Sequence, residues 1–158
     1  MIAKYNGCYY RYILNPKKNI SNVVTKQKNK AGTDFIYEDG FYFKSVAFED
    51  LEEVFDIKYI ICYDVKIPQV SSEWEIVADD KNDDTLFIRF SNGILPGWNT
   101  EENNVCTKRI SFNDIHGAKE IRIYRRKNGQ TLDTLFTEET KLSKEDFIKI
   151  WRNNNYDE

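Results

Sequence analysis

The chain has 158 residues, the size of one domain, with 41% hydrophobic and 15% aromatic residues but only 3 prolines and 7 glycines. That composition excludes a collagen-like, linker-rich or low-complexity polypeptide and favours sheet, because Tyr and Phe suit a pleated, half-buried surface. A net charge of −3 lowers the expectation of nucleic-acid binding, and Cys8, Cys62 and Cys106, far apart and odd in number, argue against a disulfide framework.

In chain order, Cys8–Leu14 reads as a strand with Tyr9, Arg11 and Ile13 on one side, Arg11 being an unusual neighbour there. The lysine-rich stretch from Lys17 to Lys30 reads most simply as a mobile solvated loop and only secondarily as a clamp for a polyanion. Residues 33–45 predict a hairpin, two aromatic runs flanking Asp39-Gly40, which tolerates the positive φ angles of a tight turn. Phe48, Leu51 and Phe55 then follow helical spacing among acids, predicting a short amphipathic helix over 46–55. Residues 57–68, apolar on both faces, predict a central strand that Pro68 ends. A second hairpin is expected over 73–90, followed by a loop at 92–104 with Ile94, Leu95 and Trp98 tucked onto the core. Strands at 105–112 and 119–127 come next. A helix begins after Ser143, the N-cap, with Asp146 three residues on and a Leu142–Phe147 staple, and residues 152–158 form a frayed tail. The expected whole is a single α+β domain over 1–158: a mostly antiparallel or mixed twisted sheet of about seven or eight strands with two short helices.

The N-terminus lacks the succession of basic and apolar segments of a secretory signal, and no apolar run has membrane-spanning length. The expectation is a cytoplasmic protein with no membrane attachment. Charge is distributed in blocks: five lysines and no acid from Pro16 to Gly32, eight acids from Asp34 to Asp56, seven basic residues from Lys108 to Lys127. Such blocks make a folded domain two-faced or pair with each other.

No catalytic constellation is complete. His116 is the only histidine and reads as a turn residue; a zinc site would need it and all three cysteines to converge, so no metal is expected. Asp79–Asp84 has the alternating acids of a calcium loop but puts Thr85 where the sharp turn needs Gly and Ser91 where a bidentate Glu belongs, so it reads as a solvated turn. On strand 119–127, Arg122, Tyr124 and Arg126 share one face, a basic and aromatic stripe of the kind that contacts phosphates and stacks on bases, or an exposed strand whose charges discourage edge pairing.

Residues 40–68, a glycine-aromatic strand ending in Ser45, a helix and a further strand, together with Tyr10-Arg11, resemble the core of ADP-ribosyltransferase-like proteins. That resemblance implies NAD in a sheet cleft, Arg11 contacting its phosphates and Ser45 orienting the ribose. The family's catalytic Glu has no match; Glu101 and Glu120 are only available. The leading expectation is a small non-enzymatic interaction module without a cofactor, a regulator or inhibitor of a partner protein such as a phage or mobile-element factor. Its anchors would come from Tyr9, Tyr12, Trp98, Arg122 and Tyr124, with Arg126 beside them. An NAD-using transferase or its degenerate relative, and nucleic-acid or nucleotide binding through the basic stripe, are the alternatives.

Overall fold

The computed structural model describes residues 1–15, 20–64, 73–80, 84–91, 93–101, 105–129 and 131–153. Among them are twelve strands, mostly in antiparallel ladders, and one α-helix. This corrects the expectation of seven or eight strands with two helices. The chain forms two compact units, Met1–Ile57 with Arg122–Glu138, and Lys58–Ile121 with Glu139–Asn153. No helix among the described residues is long and apolar enough to cross a membrane.

In the first unit, β1 (Ile2–Tyr5) and β2 (Cys8–Asn15) form a hairpin, β3 (Ile20–Thr25) adds to β2, and β5 (Phe41–Ser45) joins β3 to β4 (Ile36–Glu38). The β4–β5 turn is the one expected at Asp39-Gly40: Glu38 faces Phe41, and φ is 50° and 85° at the two turn residues. Two corrections fall here. The lysine-rich stretch is not all loop, because Val23 (0% exposed), Val24 and Thr25 are buried in β3 between β2 and β5; Lys17 and Lys18 lie outside the described residues. The helix expected over 46–55 is one 3-10 turn, Phe48–Asp50, followed directly by β6 (Glu53–Cys62). A single helical turn is costly to nucleate. Phe48 and Leu51 already reach the core of Ala3, Tyr10, Tyr12, Val23 and Val54, while Val54 and Phe55 gain ladder partners in Ala3 and Ile2.

In the second unit β6 pairs with β7 (Glu73–Asp80), β7 with β8 (Thr85–Phe90), and β8 with β10 (Cys106–Ser111), which also holds β9 (Asn99–Thr100). The expected second hairpin is therefore present; its turn, 81–83, lies outside the described residues, as does the exit expected at 65–68. Leu95 and Trp98 are buried as expected, but Ile94 is 61% exposed. Helix α1 (Lys144–Asn153) starts as its sequence dictates. The Ser143 hydroxyl accepts the Asp146 N–H at 3.1 Å and donates to its carboxylate at 2.7 Å, and Phe147 is fully buried against Tyr59 and Trp151.

β11 (Gly117–Asn128) pairs with β6 and with β12 (Thr131–Leu142), and all three strands supply residues to both units. β12 is the main element the sequence did not announce.

Candidate binding face of the first unit

Opposed residues of an antiparallel ladder project from the same face. Arg11 faces Ile2 on β1, and Ile2 faces Phe55 on β6. Arg11, Tyr9 two residues before it, and Phe55 therefore share one face of the sheet. Phe55 is fully buried there: the Tyr9 ring is 5.9 Å from its own, the Tyr124 ring 5.3 Å, and the Arg122 guanidinium lies 5.3 Å over it. Alternation puts Arg126 on the side of Tyr124, whereas Arg125 turns the other way and pairs with Asp56 at 2.7 Å. In the opposite direction, Arg11 faces Val24, which faces Phe43, and Ile13 faces Asn22, which faces Ser45.

Of the eight residues singled out in the sequence, six, Tyr9, Arg11, Ser45, Arg122, Tyr124 and Arg126, thus share one face of the first unit, whereas Tyr12, 2% exposed, packs into the core on the other face. Trp98 does not belong with them. It is 8% exposed and stacks obliquely on Trp74 at 5.0 Å, in the core of the second unit.

The face combines charge and grease. Arg11 and Arg126 are exposed and, among the described residues, neither has an ion-pair or hydrogen-bond partner on its side chain. Tyr124 stacks on Phe136 at 4.4 Å and donates to Glu138 at 3.2 Å; burial is the main reason its phenol is held above its ordinary pKa. Ile13 and Phe136 remain 40% and 51% exposed. A groove of about 320 Å³ opens beside Tyr124, lined also by Val54, Arg125, Leu135, Phe136 and the carboxylates Glu52, Glu53 and Glu138. The signal that sequence reading missed was the pair Leu135-Phe136: set between Thr134 and Thr137 on a strand not foreseen, it carried no periodic pattern.

Arg11 and Ser45 stand two strands and one residue pair apart, about 12 Å between backbones from strand spacing and rise. The Ser45 hydroxyl donates to Asn22 at 2.9 Å. The two glutamates available for a transferase both belong to the second unit and are engaged: Glu120 is buried and accepts the Tyr59 hydroxyl at 3.0 Å, and Glu101 faces Arg89 at 3.8 Å. His116 is exposed, with Nε2 3.4 Å from the Asp64 carboxylate. The three cysteines are free, Cys106 buried, Cys62 half-buried and Cys8 exposed. Among the described residues no group of three or more His, Cys, Asp or Glu could hold a metal ion; Lys81–Asp83 of the calcium-like run lie outside them.

A family model described as Uncharacterised conserved protein UCP033725 matches residues 1–75, just under half of the 158-residue chain. The match takes in Arg11 and Ser45 and leaves out Arg122, Tyr124 and Arg126. No curated protein and no solved structure matches the chain.

Proposed function

We propose that this protein is a non-catalytic interaction module that binds a partner protein through the face of Arg11, Tyr9, Arg122, Tyr124, Arg126 and Phe136. The observation that carries this reading is the convergence itself. Arginines and aromatics from β2, β11 and β12 stand on one surface over the buried Phe55, with Arg11 and Arg126 unpaired among the described residues and Phe136 half-exposed. Arg and Tyr are among the side chains that anchor protein interfaces, and an unpaired guanidinium breaks no existing ion pair when it turns toward a partner. The test is affinity capture from the native host with the full chain and with an Arg11→Glu/Arg126→Glu variant. The expected result is a stoichiometric protein recovered by the wild type and lost, at least about tenfold, from the variant at unchanged thermal stability. Failure of the wild type to hold any protein, or equal recovery by the variant, overturns the reading.

One observation favours a second reading, an NAD-using or NAD-binding protein: Arg11 and Ser45, the pair implied by the resemblance to ADP-ribosyltransferases, share that face. Against it, Glu101 and Glu120 are both committed to other partners. NAD consumption abolished by Arg11→Ala would establish the second reading; neither binding nor consumption of NAD removes it. Binding of RNA or DNA by the same arginines would weaken steeply with added salt, and a flat or absent response removes nucleic acid.

A further inference from the structure

We infer that the free edge of β12 between Thr131 and Glu138 accepts an added strand from the partner protein: an extended segment alternating apolar with lysine or arginine side chains. This rests on the protein-binding reading and names its mode.

Among the described residues β12 pairs with β11 alone, so one row of its backbone N–H and C=O groups has no ladder partner. Sheets ordinarily guard such edges with short strands, lysine, proline or bulges. β12 is twelve residues long, and its centre, Thr134-Leu135-Phe136-Thr137, has no charge and no proline. Leu135 and Phe136 are 53% and 51% exposed. The other exposed apolar edge, Ile36-Tyr37 on β4, belongs to a strand of three residues, too short for more than a few ladder bonds.

Charge selects the occupant. From Thr131 to Glu138 the strand carries Asp133 and Glu138 and no cation. A second copy of this chain would bring its own Asp133 and Glu138 to the same edge; a basic strand meets them with opposite charge. Backbone pairing supplies affinity in this kind of addition, and side chains at alternate positions supply specificity. Because strand side chains alternate between faces, the apolar side chains of the added strand would lie beside Phe136 and its basic ones on the opposite face, with Asp133.

The test uses the intact protein and fluorescent octapeptides of alternating valine and lysine, alternating valine and glutamate, and two valine–lysine versions N-methylated at one or the other alternate set of residues. Fluorescence anisotropy should show the valine–lysine peptide binding at least about tenfold tighter than the valine–glutamate peptide. One N-methylation pattern should abolish binding, since it removes the donors facing β12, and Phe136→Ala should weaken it several-fold. Equal binding of the two charge types, or indifference to both N-methylation patterns, overturns strand addition. Self-association of the protein alone, lost in Phe136→Asp, would make a second copy the occupant and overturn the basic segment. The two levels separate cleanly: a wild type that captures a protein partner while the peptides fail removes only strand addition. A wild type that captures nothing removes the broader reading.

Discussion

Glu52 joins three parts of the first unit at one carboxylate. It accepts the Gly7 N–H at 2.6 Å, inside the β1–β2 turn, and meets Lys4 at 3.1 Å, while its own backbone N–H donates to the Lys4 carbonyl. The Gly7 N–H first, and Lys4 second, hold the Glu52 carboxyl below its ordinary value of 4.5. A carboxyl lowered by folding contributes stability that is fully present above its unfolded pKa and is lost as pH falls through its folded one. The denaturant midpoint of Glu52→Gln should therefore lie below that of the wild type at neutral pH, with the gap narrowing below about pH 5 and closing in stronger acid. A gap that stays constant down to about pH 3 would assign the effect to shape rather than charge. At this scale the sequence exposed the chemistry of Arg11, Ser45, Arg122 and Tyr124 but not their neighbourhood. Their common face depends on Ile2 meeting Phe55, a contact between segments far apart in the chain. Trp98 shows the converse: an aromatic in a Gly/Pro loop reads equally as anchor or core, and only its packing on Trp74 decides.

Elements written in local chemistry were legible, and those held by partners were not. The β4–β5 hairpin follows from Asp39-Gly40, and α1 follows from Ser143 and Asp146. The stretch 46–55 has helical spacing, but its Val54 and Phe55 are claimed by β1. β3 was hidden because Ile20–Thr25, itself free of lysine, lies inside a stretch rich in lysine, and β12 because nearly every residue in it is exposed, leaving no alternation to read. A Cβ added at Gly40 meets nothing within 4 Å, so Gly40→Ala carries only the backbone penalty of φ +85°, about 1–2 kcal/mol. Thermal or chemical unfolding should show that loss. No loss would mean that the turn relaxes to another type without disturbing Glu38 and Phe41.

For the molecule as a whole, pairing runs from local to remote. β1–β2, β4–β5 and β7–β8 are neighbours in sequence, whereas β1 finds β6, and β6 finds β11, only after long loops have closed. Closing a loop costs entropy before any contact repays it, which places sheet proteins of this kind in the millisecond-to-second range of folding. Phe55 sits at the junction of the remote pairings, opposed to Ile2 and covered by Tyr9 and Tyr124. Because it is fully buried, Phe55→Ala should cost about 3–5 kcal/mol. If the local hairpins form first, its contacts are largely absent at the folding barrier, and the loss should emerge mainly as faster unfolding. Refolding and unfolding rates followed by far-ultraviolet circular dichroism across denaturant concentration measure this directly. A variant whose refolding slows in proportion to its lost stability would instead place the β1–β6 contact in the nucleus, with the remote ladder organising the hairpins rather than collecting them.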